Sequence, residues 1–201
     1  MSKINTYSSS KVFFTSDQHF GHKNIISFCD RPFNNTIEMD ETLIENWNKK
    51  VDNNSIVFVL GDIGFCTEKE IIDHYSRLNG RKILIKGNHD HHFSEQTLNK
   101  LFEEVYDQRM IQIWDEDSLE HYKLHLSHYP MISWANSFHG SIQLFGHVHS
   151  TKTERFDKFN DKLSKNQYDV GVDNNNFTPI SFKELKNLIR VHNISKEGNK
   201  Y

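Results

Sequence analysis

The segment "LFGHVHS", residues 144 to 150, sets His147 and His149 two apart just after an apolar run. Four other short segments carry residues of the same chemical kind: Asp17 and His19, Asp62, Asn88 beside His89 and Asp90, and His128. Asp17, His19, Asp62, Asn88, His128, His147 and His149 are too many ligands for one tetrahedral ion, and two ions would use them naturally. A carboxylate has two oxygens and can bridge cations about 3.5–4 Å apart, which makes Asp62 the candidate bridge. Imidazole with carboxylate suits Mn, Zn, Fe or Ni, and the lack of thiolates argues against an iron–sulfur cluster. Two such cations lower the pKa of a shared water and draw charge off phosphate oxygens.

These residues need elements to carry them, and each follows a predicted strand. "KVFFTS" precedes Asp17, "SIVFVL" precedes Asp62, "KILIK" precedes Asn88, "YKLHLS" precedes His128 and "IQLF" precedes His147. Aliphatic, aromatic and β-branched enrichment between turn residues supports all five strands. Helical signals alternate with the first three. Residues 37 to 51 place Ile37, Leu43, Ile44, Trp47 and Val51 mainly on one face. "TEKEIIDHYSRLNG" opens with Thr67 and Glu70 at capping-box spacing and ends near Gly80. "SEQTLNKLFEEV" forms a third helix capped by Ser94, and "SFKELKNLIR" a fourth with Ser181 and Glu184 at the same spacing. Between Gln108 and Ser127 two strands flank the acidic turn "DEDSLE". In sheets of alternating strands and helices, the crevice beyond the strand C-termini gathers functional loops, so the five segments are expected to converge.

Composition bounds the rest. A chain of 201 residues is read as one domain spanning 1–201, with the polar stretch 151–167 a surface excursion and 195–201 a frayed tail. Lysine plus arginine number 24 against 27 aspartate plus glutamate, so no broad basic field favours a nucleic-acid or membrane partner. Cys29 and Cys66 form no close-spaced motif, "MSKINTYSSS" lacks a signal peptide's apolar core, and a cytoplasmic location is expected.

The ordered blocks "SDQH", "GDIG", "GNHD", "SH" and "GHVH", spanning residues 16 to 149, resemble the signature of the calcineurin-like metallophosphoesterase superfamily. The resemblance implies an α/β fold, a four-layer αββα sandwich of two mixed β-sheets flanked by helices, with a binuclear centre at the strand ends. Carried over by position, Asp17, His19, Asp62 and His149 would hold one divalent ion, and Asp62, Asn88, His128 and His147 the other. His89 would stabilise the phosphate or protonate the leaving oxygen, and Asp90 could orient it. Mn²⁺ is the first ion to try, with Zn²⁺, Fe and Ni²⁺ compatible. The implied reaction is phosphoester hydrolysis by a metal-bridging hydroxide. The Asp-Arg-Gly continuation of the protein phosphatases is absent, since Ile63, Gly64 and Phe65 follow Asp62. "SDQHFGHKNII" and the late "YDVGVDNNNFTPISF" are similar to small bacterial and bacteriophage phosphoesterases, and the leading expectation is a nucleotide-like phosphodiester or monoester. Rival readings are a metal-dependent nuclease and a metal-stabilised binding or scaffold protein without turnover.

Several residues have two readings. His22 and Asn24 lie near enough to the first block to reach substrate, or they order the loop and cap the following helix. Arg31 is a phosphate clamp by its guanidinium geometry, or, as the more favoured reading, a surface arginine before Pro32. Asp173 is read as a turn residue after "YDVGV" in preference to a substrate contact. His74, His91, His92, His121, His125 and His139 are read as solvated or structural. The aromatics of "KVFFTS" and Trp47 are read as core.

Overall fold

The computed structural model describes residues 4–150 and 163–189. The segment 151–167 therefore falls largely outside the described residues, and the tail 195–201 entirely so. Two five-stranded mixed sheets form the molecule. One has β2 (Val12–Thr15), β3 (Ile56–Val59), β4 (Arg81–Ile85) and β5 (Glu104–Tyr106) in parallel, with β10 (Ile180–Ser181) antiparallel to β2. The other has β1 (Thr6–Ser8) parallel to β6 (Gln108–Asp115), β6 antiparallel to β7 (Glu120–Ser127), and β7, β8 (Ile142–Phe145) and β9 (Gln167–Asp169) parallel.

Apolar residues on both faces of the parallel strands explain the continuous apolar runs. Phe14, Phe58, Ile83 and Ile85 meet Ile111, Ile113, Leu124, Leu126 and Leu144 between the sheets. Val57, Val59 and Leu84 point the other way, beneath α1 (Lys23–Phe28), α2 (Thr36–Lys50), α3 (Glu68–Ser76) and α4 (Glu95–Leu101). The expected fourth layer is corrected. Helical residues 182–189, α5, send Phe182, Leu185 and Ile189 into the core between the sheets, and neither apolar core of the described residues lays a helix on the outer face of the second sheet. That face alternates out of the core, with Gln112 and Lys123 between inward Ile111, Ile113 and Leu124, so it has little apolar surface needing cover.

The caps hold: Thr67 and Glu70 form a complete capping box, Ser94 accepts from Thr97 N, and Ser181 and Glu184 bond reciprocally. Boundaries shift where packing competes. Ile37 is exposed because Met39 and Asp40 occupy the buried stripe with Leu43, Ile44 and Trp47. The third helix stops at Leu101, since Glu104–Tyr106 pairs with β4 as an edge strand. The α3 helix ends at Ser76 rather than near Gly80. Among the described residues no helix is long and apolar enough to cross a membrane.

Candidate metal centre

The parallel arrangement puts the C-terminal ends of β2, β3 and β4 at one edge of the first sheet, and those of β7, β8 and β9 at one edge of the second. The loops meet there. Asp17 N, His19 N and Phe20 N donate to the carbonyls of Gly61, Asp62 and Ile63 at 3.0–3.2 Å, zipping the first two loops together. Gly146 N donates to His128 O, and Val172 N to Ser16 O.

Two groups of potential ligands result: Asp17, His19 and His149, and Asp62, His128 and His147, each with donor atoms within 4.8 Å of one another. The Asp62 carboxylate lies between them, its Oδ2 3.6 Å from His19 Nε2 and 3.5 Å from His128 Nε2. Asn88 Oδ1 is 3.0 Å from the same His128 nitrogen. His128 Nδ1 bonds to the Leu60 carbonyl at 2.7 Å, which turns Nε2 toward the centre. His19 Nε2 is buried with no hydrogen-bond partner. An orphaned ring nitrogen beside two carboxylates fits a cation better than it fits a satisfied core.

Backbone conformation sets these directions. Asp17, His19, Asp62, His147 and His149 all have φ between 47° and 70°, the left-handed region that non-glycine residues rarely adopt. Gly146 does not supply the turn's freedom; it is needed because a Cβ there would overlap Ser16 Oγ and the Asp17 carboxylate. His147 N donates to that carboxylate at 3.0 Å, and His89 N to Asp62 Oδ1 at 2.9 Å.

Charge is balanced within the cluster. Burial works against ionised His128, yet its contact with Asp62 and the charge of Asp17 raise it to about 9. Burial likewise opposes charge on His149, but Asp17 and the hydrogen bond that His149 donates to Asp173 raise it to about 11. Without a cation these protonated rings supply positive charge to the buried carboxylates; a cation held there would take over that role and displace their protons. Burial would raise Asp62, but His128, the His89 amide and His19 outweigh it and hold it well below the usual range. Burial, then His149, pushes His19 down, keeping a lone pair available. Burial and the positive charge of His128 lower His147.

Around the centre, His89 is half-exposed, its Nε2 4.0 Å from Asp62 Oδ2. His22 stacks on Phe65 with ring centroids 4.8 Å apart and sets its Nδ1 3.4 Å from His19 Nδ1. His22 is also the N-cap residue of α1, without a side-chain cap bond; Asn24 is exposed inside the helix, so the capping role expected of it is corrected. Asp90 is buried and does not touch His89: its carboxylate accepts from Gly87 N at 2.7 Å, Ile63 N at 2.9 Å and Asp62 N at 3.1 Å. It ties two ligand loops together, and burial raises its pKa.

Arg31 is buried rather than on the surface, and its nearest partner is Asp173 rather than solvent. Asp173 is more than a turn residue, since it accepts from His149 Nδ1 at 2.8 Å. Asp169 accepts from Ser150 N and Gly171 N and holds the His149 loop to the end of β9. Sequence reasoning missed Asp169 and this use of Asp173. The signal was present, because "YDVGVD" is a sixth strand running into acidic and glycine residues. Cys29, His149 and Asp173 form a third group of potential ligands, but the Arg31 guanidinium already neutralises Asp173 and repels a cation there.

The chain is 34% identical over 194 residues to the uncharacterized protein MJ1445 of Methanocaldococcus jannaschii, covering 94% of this chain and 97% of that one. It is 30% identical over 186 residues to the gene 66 protein of Mycobacterium phage L5, covering 82% and 87%. No protein-family model matches the chain. Among solved structures, AQ665 of Aquifex aeolicus, a protein of unknown function, superposes with a TM-score of 0.62 at 24% identity over 90% of this chain and 100% of that one, a likeness of fold.

Proposed function

We propose, for a chain that belongs to the family of the Methanocaldococcus protein MJ1445 and the phage L5 gene 66 protein, a binuclear metal-dependent phosphoesterase acting on small nucleotide-like substrates. The observation that carries this reading is the pair of ligand groups sharing a wall at Asp62, built on five non-glycine residues in the left-handed region. Asp17, His19 and His149 would hold one cation, His128, His147 and Asn88 the other, with Asp62 between them. Divalent cations bound there, Mn²⁺ the first to test, supply the charge that polarises phosphate oxygens and makes water acidic.

The chain's own residues do the rest. His89, at the rim with its backbone fixed by Asp62, is within reach of a leaving oxygen and protonates it. Asp62 keeps its carboxylate ionised under all ordinary conditions. Beyond Phe65, which is 45% exposed and flanked by the rings of His22, His89 and His92, opens a cleft of about 690 Å³. An exposed aromatic face suits a planar leaving group. With Glu41 paired to Arg77, the cleft's Glu70 and Asp73 leave it net negative, which opposes a polyanion and supports a small ester over nucleic acid.

The test is turnover by metal-stripped protein, with and without Mn²⁺, on aryl phosphate mono- and diesters, dinucleotides and single-stranded DNA. Mn²⁺-dependent hydrolysis of the small esters that Asp62→Asn and His89→Ala both impair is the expected result. Binding of Mn²⁺ without turnover of any substrate refutes the enzyme reading, and hydrolysis confined to the polynucleotide refutes the substrate class.

A further inference from the structure

We propose that Arg31 and Asp173 are the positioning pair for one half of the centre, fixing which nitrogen of His149 faces it. The inference rests on reading the two ligand groups as cation sites. Arg31 has five N–H donors, and each has a partner inside the protein. Nε donates to Asp173 Oδ1 at 2.8 Å and one Nη2 hydrogen to Asp173 Oδ2 at 2.9 Å. The other Nη2 hydrogen goes to the Asp17 carbonyl at 2.8 Å, and Nη1 donates to the Gln18 carbonyl at 3.0 Å and Met39 Sδ at 3.4 Å. No donor remains for a phosphate. The side chains of Arg31 and Asp173 are 0% and 2% exposed.

The doubly held Asp173 carboxylate can only accept, so the His149 nitrogen 2.8 Å from Oδ2 is an N–H donor. That commits Nδ1 and turns Nε2 toward Asp17, 3.9 Å from its Oδ1. The same guanidinium pins the carbonyl of Asp17, whose φ is 60°. One buried cation therefore orients two of the three residues in the Asp17, His19 and His149 group. It makes no hydrogen bond to Asp62, Asn88, His128 or His147. The asymmetry is the content of the proposal: Arg31 and Asp173 govern one site and not the other.

The experiment is titration of metal-free full-length protein with Mn²⁺, followed by calorimetry and Mn²⁺ paramagnetic resonance, for wild type, Asp173→Asn and the double variant Arg31→Met with Asp173→Asn. Zn²⁺-loaded protein gives the tautomer of His149 by nitrogen NMR. We expect two ions in wild type, with His149 protonated at Nδ1. In Asp173→Asn one site weakens by about 10–100-fold, the size of effect typical of such outer partners, while the other stays within about threefold. The double variant separates positioning from folding, because it removes the unpaired buried guanidinium that Asp173→Asn leaves behind. Thermal stability of the metal-free double variant returning toward wild type while the one site stays weak supports the proposal. Recovery of both, equal weakening of both sites, no weakening, or coordination of wild-type His149 through Nδ1 overturns it. A wild type that binds neither ion overturns the metal reading first, and this inference with it.

Discussion

Replacing Asp90 separates a structural clamp from a catalytic orienter. Its Oδ2 accepts from Gly87 N and Asp62 N and its Oδ1 from Ile63 N, in a fully buried position. Hydrogen bonds to a charged acceptor contribute about 1.5–3 kcal/mol each, and a buried donor left alone costs about 1–3 kcal/mol. Asp90→Ala orphans three donors, so about 3–9 kcal/mol of unfolding free energy is lost, a large part of the 5–15 kcal/mol typical of a domain. Asp90→Asn can keep its carbonyl oxygen at the Oδ2 position and retain two of the three bonds. It sets an NH₂ group against Ile63 N, and it also escapes the burial penalty on charge that raises Asp90's pKa. The net loss for Asn is about 1–3 kcal/mol. Urea unfolding of the metal-free proteins at neutral pH measures both. An Asp90→Asn protein within about 0.5 kcal/mol of wild type, whose turnover nonetheless shows a displaced pH profile, would refute the clamp and restore Asp90 as the partner of His89.

Other substitutions test neighbouring steps. Asp62→Asn weakens both ions and lowers turnover by at least about 100-fold; calorimetry that finds one site unchanged rules out a shared carboxylate. Gly146→Ala drives a Cβ into Ser16 and Asp17, so it lowers stability by about 1–3 kcal/mol and loosens Mn²⁺ binding, and unchanged values for both would mean that the loop yields freely. Asp40 is raised by burial to about 7, against the amide bond from Gly21. The folded form therefore binds a proton that the unfolded form has released, and stability from this group is full below about pH 4 and lost as pH rises through 7. Asp40→Asn removes that slope, gaining about 1–3 kcal/mol at pH 8 relative to pH 5 after discounting for partial solvent access. Denaturant midpoints across that range check the sign.

The strands bearing the centre were legible because a strand buried on both faces is apolar along its whole length, as in "SIVFVL" and "IQLF". The ligand types were legible because Asp, Asn and His stand directly after those strands. Edge strand β5 was not, since "LFEEVY" continues a helical pattern and only pairing with β4 extends it. Arg31 and Asp173 lie 142 positions apart, and neither residue type nor local spacing connects them. Asp90 was misread for a related reason: adjacency to His89 suggested a partner, while its carboxylate was used by the amides of a loop 27 and 28 residues away.

Among the described residues, five of the ten non-glycine residues with positive φ are among the seven inferred ligands, and backbone strain of this kind clusters at functional sites. Packing alone gives no reason for a histidine to sit at φ 70°, as His147 does on an exposed loop. The consequence is measurable. In ordinary backbone, alanine is more stable than glycine by about 0.5–1 kcal/mol because glycine gains more freedom on unfolding. At a left-handed position alanine carries a steric penalty of about 1–2 kcal/mol that glycine avoids. Metal-free His147→Gly should therefore exceed His147→Ala by roughly 0.5–1 kcal/mol in chemical unfolding, while both lose affinity for the same Mn²⁺ ion. If alanine is the more stable, the loop relaxes out of the left-handed region without its histidine. The backbone would then be following the side chain's contacts rather than holding it in place, and the case for a site built in advance of its ions would fail.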